Sequence, residues 1–560
     1  MKSGPPISKK GTHLALFTTL ACIFLLLGAC GDPETVSKSE TGARQPSEEI
    51  AQRGGVYRVP LMQTPATLDP AYVRDRYGEA VVHQLFDGLV QFGPYLSVLP
   101  NLAESWQVDD DGRSIRFFIR KEARFHNGRL VTAEDARYSL IRLLRIDPPP
   151  AILPHLLKIQ GAPAYRNRNS EQVRGLQCPQ ERELQISLSQ PHAPFLSALA
   201  MYQASIVPSE HVTNEQIRFE ENPVGTGPFQ FVAWNKDSSI LLKRFDRYFA
   251  GEAFLDEIQF HLYPGARIDQ VLSDFKSGKL EEMPFYSGIR ANLSDDKAYR
   301  RIHRPSLSLF FYGINTHHPI LKHPEVRQAL SLAIDRSALI HSVYSDQFEA
   351  AISILPPGMP AHQHLEELTR FDPSTARQIL EKVTEKMPAD GWTLEIASGS
   401  TSDFAKQELE IIRQSWRLLG IELKTKFISE WAQFEQYIQS NEVQLYRYAW
   451  NADLPDPDSF LHPLFASNSP VNFGGYADSR ADKMLVNAIE IVDPVERAKK
   501  YQEIERYILS QYPIIPMFYL SIDRIYQPYV QNVHINALGA HTMPLNRVWY
   551  KTEPGIKSVD

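Results

Sequence analysis

The chain has 560 residues, with 59 Lys and Arg against 66 Asp and Glu, and a formal net charge of −7. An acidic balance of this kind argues against nucleic acid as a partner, because phosphate backbones demand a basic face. Three cysteines in so long a chain rule out a dense disulfide scaffold, so stability must come from buried cores, and the length has room for several lobes.

In chain order, Lys9 and Lys10 precede an apolar run over 14–27, interrupted only by Thr18 and Thr19 and closed by Leu27-Gly28-Ala29-Cys30. The run is short for a membrane-spanning helix and ends abruptly, which predicts a secretory signal over 1–29. Small residues ahead of a cysteine at that depth resemble the lipobox of bacterial lipoproteins. That resemblance implies lipidation at Cys30, membrane anchoring through the lipid, and an extracytoplasmic body on the periplasmic side or the cell surface. Cleavage removes Lys2, Lys9 and Lys10 but no acid, so the formal charge becomes −10. Cys22 leaves with the signal and Cys30 goes to lipid, so Cys178 stands alone and no intramolecular disulfide can form. Residues 30–53 are polar and lack aromatics, and read as a flexible tether, with the body starting at Gly54-Gly55.

Strands and helices then alternate. Residues 115–120 have strand character after Asp111-Gly112, and Asn127-Gly128 marks a second turn. Thr132 with Asp135 resembles a capping box ahead of Ala136, Leu140, Leu143 and Leu144, which share one helical face. Three later helices open on a proline at their first position: Pro324, Pro373 and Pro494, where the missing N–H would have had no partner. Residues 240–245, 393–397, 422–428 and 443–450 read as strands. Alternation of this kind predicts an α/β or α+β body.

Several blocks now carry a resemblance: Ala66-Thr67-Leu68-Asp69-Pro70, Leu85-Phe86-Asp87-Gly88-Leu89, Phe125-His126-Asn127-Gly128, and Pro223-Val224-Gly225-Thr226-Gly227-Pro228-Phe229. Val326-Arg327-Gln328-Ala329-Leu330, the stretch from Trp450 to Phe460, and Pro513-Ile514-Ile515-Pro516 follow in order. Together they resemble the family 5 solute-binding proteins of peptide and nickel ABC importers. The resemblance implies an α/β, two-lobed periplasmic-binding-protein-like fold that buries its ligand between the lobes. It divides the chain into lobe one (54–92, 205–305 and 520–556), an extra domain (93–204) and lobe two (306–519). It also implies a peptide ligand, an ABC permease as partner, a monomer, no cofactor and no catalysis.

The same resemblance singles out Asp453 as the group that pairs with a peptide's α-amino group. The residues alone leave open a turn-capping role, since Asp456 and Asp458 lie beside it among prolines. Arg447 is implied as the partner of a ligand carboxylate, for which guanidinium geometry is suited, or else is an ordinary strand arginine. Trp450 either stacks on the ligand or belongs to the core. Gly225-Thr226-Gly227 lacks the lysine of a phosphate loop and reads as a structural turn. His317-His318 and the pair His362 and His364 lack zinc-site spacing. No G-x-S-x-G elbow speaks for a hydrolase. A non-peptide solute (nickel chelate, haem, sugar or opine) remains the alternative within the same fold.

Overall fold

In the computed structural model, the described residues are 51–551, apart from 215–217, 266, 286–292, 294–298, 384–391 and 441. The signal segment and Cys30 lie outside them. The expected tether ends sooner than its composition implies. Ala51–Gln52 pair antiparallel with Trp549–Lys551, because that C-terminal strand offers a free edge. Among the described residues no helix is long and apolar enough to cross a membrane.

Two smaller sheets and one large one carry the body. The first joins Val56–Leu61, Glu257–Leu262, Ser239–Arg244 and Phe229–Asn235. Alternation along Glu257–Leu262 sends Ile258, Phe260 and Leu262 into a core shared with Tyr57, Val82 and Leu85. The second sheet is antiparallel: Ala103–Val108, Ser114–Ile119, Glu183–Ser187 and Leu176–Gln180. Ile115, Phe117 and Ile119 fill its core against the Ala133–Leu143 helix, whose Thr132 and Asp135 form the capping box that their spacing predicts. Leu89 and Val90, expected with lobe one, are buried in this second core, and so is Leu454 from far along the chain.

The large sheet runs Glu282–Pro284, Ile514–Tyr526, Arg300–Ile314, Leu445–Asn451, Trp392–Ser398, Ile421–Phe427. Its last three strands are parallel, so both faces must be covered by helices. On one face lie Pro324–Leu332, Pro373–Val383 and Asp403–Arg417, and on the other Asp458–Phe465, Ser479–Ala488 and Pro494–Leu509. Trp416 is fully buried in the first of these faces, and its indole N–H donates to the Leu330 carbonyl at 3.1 Å.

Two long strands, Arg300–Ile314 and Ile514–Tyr526, cross from one core to another. Ile522 and Tyr526 lie in the core of the first sheet, whereas Ile514 and Tyr519 lie in the core of the large one. Their ladder breaks between Pro305 and Leu309, where Ser306, Leu307 and Ser308 stand opposite Leu520 alone. The break marks where the strands can bend.

Candidate functional site

Open α/β sheets place ligands outside the carboxyl ends of their parallel strands. Here those ends are the turns after Ser398, Phe427 and Asn451. Three large apolar side chains at or just beyond them, Phe404, Phe427 and Trp431, are exposed.

The strand Leu445–Asn451 supplies the central residues. Successive side chains point to opposite faces. Tyr446, Tyr448 and Trp450 therefore share one face, with Arg447 on the other. Gly313 is required beneath Tyr446, since a Cβ there would lie 1.9 Å from the tyrosine Cζ. Tyr448 stacks with Trp431 at 6.0 Å and meets Phe473 edge-on at 5.7 Å. This aromatic wall was not singled out in the sequence, where Trp431 looks like any residue opening a helix.

Arg447 is already occupied. Its Nε and Nη2 donate to Oε1 and Oε2 of Glu408, both at 2.8 Å, and Glu408 is wholly buried. Tyr312 adds a hydrogen bond to Oε1 at 2.6 Å, and Tyr344 donates to Oε2. Burial alone would lower the guanidinium pKa, but the Glu408 bonds and charge outweigh it and keep the group ionised. Trp450 is half-buried and spends its N–H on the Ser459 carbonyl at 2.7 Å.

The turn after the strand carries three aspartates with different fates. Both carboxylate oxygens of Asp456 accept from Arg497, at 2.7 and 2.9 Å, in a buried bidentate pair. Asp458 accepts from the Tyr501 hydroxyl at 2.8 Å. Asp453 accepts no hydrogen bond and pairs with no cation among the described residues. Its side chain is open to solvent, yet burial, and after it the charge of Glu79, pushes its carboxyl above the ordinary 3.8. Both hold together for a side chain that water reaches while many protein atoms lie nearby.

Glu79 comes from the Arg76–Leu85 helix, with Oε1 3.4 Å from His83 Nε2 and Oε2 3.5 Å from His541 Nε2. Burial raises its pKa, but His541 and His83 together bring it below the ordinary value. Tyr202 is pushed upward by burial first, then by Glu79, with a smaller contribution from Asp453. These four groups escaped the sequence reading. Only the Glu79/His83 helical spacing was visible there. Gly225-Thr226-Gly227 is a structural turn: a Cβ on Gly225 would lie 1.9 Å from the Leu85 carbonyl, and Thr226 donates to Asp87 at 3.1 Å. Among the described residues no group of three His, Cys, Asp or Glu is arranged to hold a metal ion.

A body whose sheets share two long crossing strands, with exposed apolar side chains at the ends of its parallel strands, has the architecture of proteins that bind a solute between lobes. Comparison places it more narrowly. A model of the family described as "Bacterial extracellular solute-binding proteins, family 5 Middle" matches residues 97–471, and the chain belongs to that family of extracytoplasmic binding proteins, which are not enzymes. It is 27% identical over 520 residues to Heme-binding protein A of Haemophilus influenzae, covering 89% of this chain and 92% of that protein. To the dipeptide-binding protein of Escherichia coli it is 25% identical over 484 residues, 82% of this chain and 88% of the other. The solved MppA periplasmic murein tripeptide-binding protein, in its unliganded open form, shares the fold with a TM-score of 0.78 at 21% identity, covering 91% of this chain and 99% of that one.

Proposed function

We propose that the chain is a receptor that captures peptides by closing its lobes and hands them to an ABC permease. The observation that carries this reading is the Asp453 carboxylate, with no hydrogen-bond or cation partner among the described residues, beside Asp456 clamped by Arg497 and Asp458 held by Tyr501. A ligand ammonium buried on closure must find a counter-charge, and every unblocked peptide brings that ammonium whatever its side chains. The relatedness to a dipeptide-binding protein supports the same class of ligand. The exposed Phe404, Phe427 and Trp431 suit varied apolar side chains.

Arg447 takes a different role in this proposal from the one its position first implies. With Glu408 as resident counter-ion it is a structural pair, and the ligand carboxylate is held elsewhere. Trp450 braces the Asp453 turn through Ser459. The divisions at 305/306 and 519/520 are supported by the ladder break between Pro305 and Leu309. Anchoring through a lipid on Cys30, after loss of residues 1–29, completes the proposal. An intact-mass measurement of the membrane-extracted protein tests it, and a chain starting before Cys30 or bearing no lipid sinks it.

A second reading, a haem-class ligand, is favoured by the extent of the match to Heme-binding protein A. One experiment separates the two. Residues 31–560 are produced without lipid, purified gently from a bacterial extract, and examined by native mass spectrometry and visible absorption. Added masses that fragment into short peptides support the peptide receptor. One discrete mass with haem absorption overturns it.

A further inference from the structure

We propose that the hinge and the ligand seat form one hydrogen-bonded unit, in which Ser306, Leu307 and Ser308 position the turn carrying Asp453 and so couple lobe rotation to ligand capture. The proposal rests on the reading of Asp453 as the amine anchor. Its ground is the gap in the crossing ladder. Across that gap side chains replace the missing backbone bonds, and they reach toward the ligand turn. The Ser308 hydroxyl donates to Asn451 Oδ1 at 2.7 Å, and the Ala452 N–H donates to the Leu307 carbonyl at 2.9 Å. Ser306 Oγ lies 2.9 Å from the Leu520 carbonyl on the second crossing strand and 3.0 Å from Ser308 Oγ. Leu307 N–H is itself tied to the Ala537 carbonyl at 2.8 Å.

Both hydroxyls are buried, so water cannot substitute for a lost partner without reorganisation. The two residues before Asp453 are thus fastened to the bend, while the residues after it are fastened elsewhere. Leu454 sits in the core of the second sheet, and Asp456 is clamped by Arg497. Asp453 lies where the bend, the core of the second sheet and the Arg497 helix are tied to one short stretch of chain, so their relative shift on bending is felt there. Bending at 306–308 therefore shifts the carboxylate or strains one of these attachments, the Ser308 and Leu307 bonds among them. Conversely, a ligand that fixes the carboxylate biases the bend.

The test compares the wild-type chain with the double variant Ser306→Ala/Ser308→Ala and with Ser308→Thr, which keeps a hydroxyl. Amide exchange is followed over 451–454, small-angle scattering is recorded with and without di-, tri- and tetra-alanine, and each peptide is titrated with and without an N-acetyl group. In the double variant, exchange over 451–454 accelerates by at least about tenfold while the Trp416 core keeps its protection. Ligand-induced compaction is lost, alanine peptides bind about tenfold more weakly, and the free-to-acetylated ratio is unchanged. Ser308→Thr restores most of each. Unchanged exchange and compaction in the double variant overturn the proposal, and so does faster exchange spread evenly over the whole lobe. If the wild type binds free and acetylated peptides equally, or neither, the amine-anchor reading falls instead, and the exchange arm alone still decides whether hinge and turn are one unit.

Discussion

Arg447 and Asp453 sit on the same strand and turn, and the family resemblance implies ligand contact for both, yet the structure treats them oppositely. Arg447 is enclosed with Glu408, its hydrogen-bonding complement supplied by two tyrosines. Asp453 reaches solvent yet has no cation partner among the described residues, and burial, with the neighbouring Glu79, makes its ionised form less comfortable. A buried charge that is fully paired describes the fold's own needs. A carboxylate that reaches solvent with no cation among the described residues describes a charge open to a ligand. Opposite consequences of mutation follow.

The largest expected effect is on stability. Glu408→Gln leaves the Arg447 guanidinium buried without its counter-charge and should destabilise the fold by roughly 3–5 kcal/mol. Urea unfolding monitored by tryptophan fluorescence measures it, and a loss well under 1 kcal/mol would return Arg447 to the pool of ligand contacts. Asp453→Asn should do the reverse. It should leave unfolding nearly unchanged but weaken peptide binding by at least about 30-fold, the low end of the roughly 2–5 kcal/mol for removing one partner of a buried ion pair. Calorimetric titration decides this, and a change below about threefold removes the amine-anchor role.

A smaller effect sharpens the contrast through pH. The raised Asp453 carboxyl binds an ammonium only when ionised, so the contribution is complete above its pKa and lost as pH falls through it. Peptide affinity should begin to fall at a pH above that of an ordinary carboxylate, and N-acetyl peptides should show no such fall. Equal pH profiles for the two would locate the titrating group elsewhere. The smallest effect serves as a control. Thr132→Ala removes a helix cap whose bonds are to Asp135 and should lower stability by about 1 kcal/mol while leaving peptide affinity alone.

Much of the scaffold was legible from residue order because its causes are local. Pro324, Pro373 and Pro494 open helices for the reason proline always can, and the Thr132–Asp135 cap is a contact between residues three apart. The strand expected over 115–120 lies at Ser114–Ile119, since alternation between core and solvent is written in the residues themselves. Asp453 could be named in advance through resemblance, but not its solitude. That solitude depends on Arg497 and Tyr501, which take its two neighbours from a helix some forty residues away. The Glu408–Arg447 pair, the burial of Leu454 in the second core, and the Ser306–Ser308 link to Asn451 join segments that no periodicity connects. The sequence by itself determined the elements, the family and the chemistry on offer. Which charges are satisfied internally and which stay open for a ligand was decided only when distant segments were brought together, because pairing and desolvation depend on spatial neighbours and not on chain order.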